Sequence, residues 1–117
     1  MTIGDIARRT GLTESTLRFY ERKNLLTVAR DSSGRRVFDE HDLAWIQFIR
    51  RLKQTGMPLK DIERYAALRM RGEQTTGERL QMLQSHRAFV LAQRAEWEEC
   101  LSHLDDKIAY YQQALGQ

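Results

Sequence analysis

The feature that most restricts the fold of this chain is a stretch from Glu78 to Ala114 that contains neither glycine nor proline. Such a stretch favours one continuous helix of roughly 37 residues, about 55 Å long at the helical rise of about 1.5 Å per residue. Helices in globular proteins average about 12 residues. We therefore predict an elongated helical element, far longer than a globular core needs.

Apolar residues in this stretch recur with the heptad spacing of a coiled coil. One set of positions holds Leu80, Leu101, Ile108 and Leu115, interrupted by Arg87 and Arg94, and the other holds Leu83, Val90, Trp97, Leu104 and Tyr111. A lone helix would expose this seam to water, so we predict that residues 78–117 pair two copies of the chain. The expected contacts of this homodimer are Leu83, Val90, Trp97, Leu101, Leu104, Ile108 and Tyr111. The acidic polar face disfavours a membrane-surface helix.

Charge divides the chain into two parts. Residues 1–71 hold 15 Lys and Arg against 9 Asp and Glu, whereas residues 72–117 hold 4 against 7. The first part would attract a polyanion such as nucleic acid, which leaves the second part for another task.

Cys100 is the single cysteine and cannot form an internal disulfide, and the N-terminal residues are polar. We therefore expect a cytoplasmic protein without a membrane span.

The N-terminal residues predict two short helices joined by a glycine turn. Thr2 can cap the first helix, Gly11 ends it, and Thr13 can cap the second, in which either Phe19 or Tyr20 continues the apolar face. Two short helices with such a turn form a helix-turn-helix pattern. A pair of antiparallel helices in an ordinary bundle would carry the same signals, so this alternative stays open from the pattern alone.

The next segment breaks the helical period and predicts a β-hairpin. Residues 25–28 and 35–38 flank a turn of Asp, Ser, Ser and Gly, and the second arm begins with Arg35 and Arg36. Arginines at the base of a hairpin project charge that a core would not accept, and the guanidinium group matches phosphate oxygens. A basic hairpin directly after a helix-turn-helix is typical of a wing.

Two further helices complete the predicted head. Asp39 can cap the third helix, which Gly56 ends, and the fourth begins near Pro58, a residue tolerated in a first turn. The chain is therefore predicted to be mainly α. We expect a winged helix-turn-helix DNA-binding domain over residues 1–71, a linker over 72–77 and a coiled-coil dimerisation helix over 78–117.

Several strings in this order resemble the MerR family of bacterial transcription regulators. The matching strings are residues 2–7 (TIGDIA), 11–13 (GLT), 16–21 (TLRFYE), 34–38 (GRRVF) and 52–59 (LKQTGMPL). The resemblance implies DNA contacts by Arg18 and Tyr20 on the second helix and by Arg35 and Arg36 in the wing. Short hydroxyls in a first helical turn can also reach a base edge or phosphate. The full set of expected DNA-binding residues is Ser15, Thr16, Arg18, Tyr20, Arg35, Arg36 and Lys60, whereas Phe19 is expected in the core.

The resemblance also implies a mechanism. Family members are similar in placing a dimer, joined by an antiparallel pair of long helices, on a promoter whose two elements are spaced too far apart. The active form distorts the duplex so that RNA polymerase can use it, which is indirect readout. The expected partners are therefore double-stranded promoter DNA, a second copy of the chain and RNA polymerase.

The control of such a regulator is not evident in this sequence. The resemblance is strongest to the aldehyde- and thiol-stress branch, but Arg51 stands where that branch has its sensing cysteine. Cys100 is flanked by Glu96, Glu98 and Glu99, and we do not expect it to act as a sensor. One thiol with scattered His86 and His103 is a poor metal site, so no metal and no cofactor are expected.

Two other classes of function compete with a regulator. An architectural protein would bend DNA without contacting polymerase or sensing an effector. An enzyme has little support, because no nucleophile triad, phosphate loop or metal-spaced cluster is present in the sequence. We therefore predict no catalytic residues.

Overall fold

A computed structural model of the chain describes residues 1–116. Its elements are α1 (Ile3–Thr10), α2 (Glu14–Arg22), β1 (Ala29–Arg30), β2 (Arg36–Val37), α3 (Glu40–Gln54), α4 (Leu59–Arg71) and α5 (Thr76–Gly116), with a 3-10 turn at Glu73–Thr75 before α5. The predicted class is confirmed: the described chain is mainly α, with one small antiparallel hairpin and one long C-terminal helix.

Short polar side chains begin the first three helices, as predicted. The backbone N–H of Asp5 donates to the hydroxyl of Thr2 (3.1 Å), and Thr13 accepts likewise from Thr16 (3.1 Å). Asp39 and Asp42 cap α3 reciprocally, at 2.8 and 3.0 Å. The backbone N–H groups that donate to the carboxylates of Asp5 and Asp39 hold the pKa of both groups below the ordinary value. These caps satisfy donors that a helix start leaves unpaired.

One apolar core joins the four helices of the head. The indole Nε1 of Trp45 donates to the carbonyl of Leu25 at 2.7 Å, which ties α3 to the segment that follows α2. The ring of Trp45 also stacks on that of Tyr65 from α4, with centroids 5.9 Å apart. The buried apolar residues are Ile6, Leu17, Tyr20, Leu25, Leu26, Phe38, Leu43, Trp45, Ile46, Ile49, Leu52, Met57, Ile62, Tyr65, Ala66 and Leu68.

The hairpin is shorter and begins later than predicted. Its first strand is β1, paired Ala29 to Val37 and Arg30 to Arg36, whereas Leu25 and Leu26 are buried in the core and form no strand. Asn24, with φ 59°, ends α2 in the left-handed conformation, and the N–H of Leu25 then donates to the carbonyl of Tyr20 at 3.0 Å, so neither leucine pairs with the second strand. The apolar run that suggested a strand at residues 25–28 therefore reflects burial against the helices.

The chain divides into two compact units, and the second begins at Leu83. α5 starts at Thr76, inside the predicted linker, because the hydroxyl of Thr75 donates to the carbonyl of Leu68 at 2.7 Å and holds the 3-10 turn on α4. The predicted dimerisation helix also included Gln117, which lies outside the described residues. Within residues 1–116, no helix is both long and apolar enough to cross a membrane.

Candidate nucleic-acid interface

α2 turns one face to the core and the opposite face outward. Leu17 is buried, with 1% of its surface exposed, while Ser15, Arg18 and Arg22 are exposed on the other side. The guanidinium of Arg18 lies 3.5 Å from the carboxylate of Glu14, one turn earlier, and both side chains are about half exposed. Such a pair contributes little to stability. Arg18 therefore keeps a guanidinium that a phosphate or a guanine edge can recruit.

Tyr20 lies in the core, although the family resemblance implied a DNA contact for it. It is 1% exposed, and burial raises the pKa of its phenol above the ordinary value. It lies three positions after Leu17, so both side chains fall on the same helical face. The expected core position of Phe19 is not observed, since that ring is half-buried on the outer side. The predicted contact between Tyr20 and DNA finds no support in this arrangement.

Asp31 stabilises the turn at the tip of the wing. One carboxylate oxygen of Asp31 accepts from the backbone N–H groups of Ser33 (2.9 Å) and Arg35 (3.0 Å). Gly34 adopts φ 81°, which favours glycine. Because only the backbone of Arg35 is used in this turn, its exposed guanidinium projects from the hairpin. The guanidinium of Arg35 is therefore exposed and available to a phosphate.

Glu21 connects α2 to the wing. Its carboxylate accepts from Nε of Arg36 at 2.8 Å and lies 3.5 Å from Arg30 on the other strand. Both Arg36 and Glu21 are less than a quarter exposed, so this pair is better shielded from solvent than the pair of Arg18 and Glu14. Arg36 thus serves first to position the wing, and only its terminal nitrogens remain for a phosphate. The sequence reasoning missed Glu21, although it stands next to Tyr20 in the matched string.

We expect Glu21→Gln to weaken DNA binding although it removes a negative charge from a surface that meets a polyanion. The long-range charge effect alone predicts tighter binding, whereas loss of the ion pairs frees the wing and predicts weaker binding by about fivefold. Glu40→Gln is the matched control, because Glu40 pairs with Arg9 at 3.3 Å and does not touch the wing. Fluorescence anisotropy with a labelled duplex measures both variants. Equal or tighter binding by Glu21→Gln would show that the wing does not depend on this carboxylate.

The remaining expected contacts are placed as follows. Thr16 is half-buried and its hydroxyl accepts from that of Thr13 at 2.9 Å, whereas Ser15 is exposed. Lys60 is exposed in the first turn of α4. The structure therefore brings Ser15 and Arg18 together on one face of α2, places Arg35 and Arg36 on the wing bonded to that helix, and leaves Lys60 on a separate element.

In the unit that begins at Leu83, α5 carries an exposed apolar seam. Trp97 is 76% exposed, and Leu101, Leu104, Ile108 and Tyr111 are each more than half exposed, while Leu83 and Val90 are half-buried. Large apolar side chains in such a row are costly in water. Cys100 is also exposed on this helix.

Comparison with known proteins places both units in one group. A family model described as MerR HTH family regulatory protein matches residues 1–68, and one described as MerR, DNA binding matches residues 43–107. An HTH-type transcriptional regulator of Haemophilus influenzae is 40% identical over 114 residues, covering 97% of this chain and 84% of its own length. The regulator AdhR of Bacillus subtilis is 38% identical over 88 residues, covering 74% of this chain and 63% of its own length.

One solved structure resembles the chain over nearly all its length. It is the crystal structure of HiNmlR, a MerR family regulator lacking the sensor domain, bound to promoter DNA. The two are 39% identical, the match covers 99% of this chain and 93% of the other, and the TM-score is 0.90.

Proposed function

Because this chain belongs to the MerR family of helix-turn-helix transcription regulators, we propose that it acts as a homodimer that distorts promoter DNA for RNA polymerase. DNA binding and transcription regulation follow from the family, and the chain is a regulator rather than an enzyme. The proposal concerns how it acts: two heads, held apart by paired α5 helices, bend one duplex between them. The similarity to a regulator crystallised on promoter DNA carries this proposal.

The seam of α5 supports a second copy as the partner. Its exposed apolar residues follow heptad spacing, and pairing removes them from water.

The distribution of charge along α5 supports an antiparallel pair in particular. Residues 76–95 hold three basic and one acidic side chain, whereas residues 96–116 hold one basic and five acidic side chains. An antiparallel pair places each basic half beside an acidic half, while a parallel pair would oppose like charges.

On this proposal the head over residues 1–71 reads the DNA, residues 72–77 connect it, and residues 78–117 form the dimer. Ser15, Arg18 and Arg35 make the direct contacts, with Thr16, Arg36 and Lys60 at the margin of the interface. A regulator that binds a bacterial promoter acts in the cytoplasm, which is the location that we propose for this protein. Its place in the aldehyde- and thiol-stress branch stays a prediction from the resemblance, and the similarity to AdhR supports it.

Transcription in vitro separates an activator from an architectural protein. We expect the chain to stimulate open-complex formation by purified RNA polymerase on its target promoter when the two promoter elements are spaced further apart than is usual. Shortening the spacer to the ordinary length should remove the stimulation, because distortion then misaligns the elements. Bending of the duplex without stimulation at either spacing would assign the protein to the architectural class.

A further inference from the structure

We propose that Phe19 is a specificity residue whose ring contacts the C5-methyl group of a thymine in the major groove. The inference rests on DNA binding through α2 and adds to it a base preference at one position. Neither the heptad pattern nor the charge distribution pointed to Phe19, which the sequence reasoning assigned to the core.

The position of Phe19 on α2 carries the proposal. Successive residues of a helix are rotated by about 100° around its axis. The outward direction, opposite the buried pair Leu17 and Tyr20, therefore falls between Ser15 and Arg22. Phe19 lies within about 50° of that direction, as Arg18 does on the other side. A phenylalanine is therefore presented on the outward face, between residues that are themselves exposed.

The half-burial of Phe19 has a local cause. The guanidinium of Arg22 lies 5.9 Å from the ring centroid and the ammonium of Lys23 lies 5.8 Å from it. Tyr20, the neighbouring ring, is tilted, with centroids 6.4 Å apart. Two cations beside an aromatic ring form a surface that matches DNA, because the cations can turn to phosphates while the ring meets a base.

Thymine is the base that such a ring can distinguish. In the major groove each base presents hydrogen-bonding groups, and the C5-methyl of thymine is the apolar exception. A phenyl ring has no donor or acceptor, so it gains only from that methyl group. Burying one methyl changes affinity by about threefold to fivefold. We therefore expect one methyl-dependent thymine in each half-site.

Replacement of thymine by deoxyuridine tests this directly, because it removes only the methyl group. The probe is the tightest duplex selected by the full-length protein from a random-sequence library, with each thymine replaced in turn. The wild-type protein should lose threefold to fivefold in affinity at one thymine per half-site, and Phe19→Ala should lose nothing further there. Val37→Ala, which shortens another exposed apolar side chain of the head, should retain the methyl dependence.

A second variant covers the case in which Phe19→Ala folds poorly. Phe19→Gln keeps a long side chain but favours adenine, so selection with it should replace the thymine preference at that position. Tight binding by the wild type without methyl dependence at any thymine would overturn the inference and leave the proposed function standing. The same methyl dependence in Phe19→Ala, or an unchanged thymine preference in Phe19→Gln, would also overturn it. Failure of the wild type to select any sequence would instead contradict the proposed function.

Discussion

Replacing Arg18 with alanine is expected to weaken binding to the selected duplex by about tenfold or more. Arg18 is exposed on the outward face of α2, and its weak pair with Glu14 at 3.5 Å leaves the guanidinium available to DNA. A bidentate contact from arginine to guanine or phosphate is among the stronger contacts a helix can make in the groove. Anisotropy titrations at several salt concentrations give both the affinity and the number of counterions released.

In the same assay, variants of the two wing arginines distinguish loss of a phosphate contact from loss of the wing's position. Arg35→Ala should weaken binding and lower the salt slope by about one, because it removes one phosphate contact. Arg36→Ala should also make the wing more mobile, because Arg36 donates a hydrogen bond to Glu21 at 2.8 Å. It should therefore lower the melting temperature, whereas Arg35→Ala should leave the melting temperature unchanged. Arg64→Ala is the charge-matched control on α4. Unchanged affinity and salt slope in Arg18→Ala and Arg35→Ala would remove both residues from the interface.

Trp97→Asp is expected to convert the protein into monomers at micromolar concentration. Trp97 is the most exposed aromatic of the seam, and its burial in a dimer would remove a large apolar surface from water. An aspartate there would put an unpaired charge in the interface, which costs several kcal/mol. Sedimentation equilibrium measures the mass directly.

Ser102→Asp is the matched control for this experiment. It adds the same charge five residues further along α5, at a heptad position outside the apolar seam. This variant should remain a dimer. If Trp97→Asp also sediments as a dimer, the subunits join through another surface and the proposed role of the seam is wrong.

Local signals in the sequence predicted much of the fold. The caps at Thr2, Thr13 and Asp39 act within three residues, so the sequence alone locates the helices that they begin. The absence of glycine and proline from Glu78 to Ala114 likewise predicted α5 to within two residues of its start. The positions of the short strands were harder to predict, because the buried leucines at 25 and 26 resemble a strand in their composition.

Longer-range features of the interface could not be predicted in this way. The core position of Tyr20 is not one of them, because Tyr20 lies three positions after Leu17 and shares its helical face, so the sequence spacing already favours it over Phe19. The bond between Glu21 and Arg36 joins residues 15 positions apart on different elements, so it follows from the docking of the wing on α2. A string shared with a family reports that such residues recur, but their contacts come from the fold.

On the proposed function, paired α5 helices fix the distance and rotation between two DNA-reading heads. The most direct test of this arrangement is the affinity for the selected duplex after insertion of five base pairs between the half-sites, about half a helical turn. We expect a loss of at least tenfold with five inserted base pairs, because the second half-site then faces away from its head. Equal affinity for the original and the five-base-pair duplex would contradict a dimer of fixed geometry.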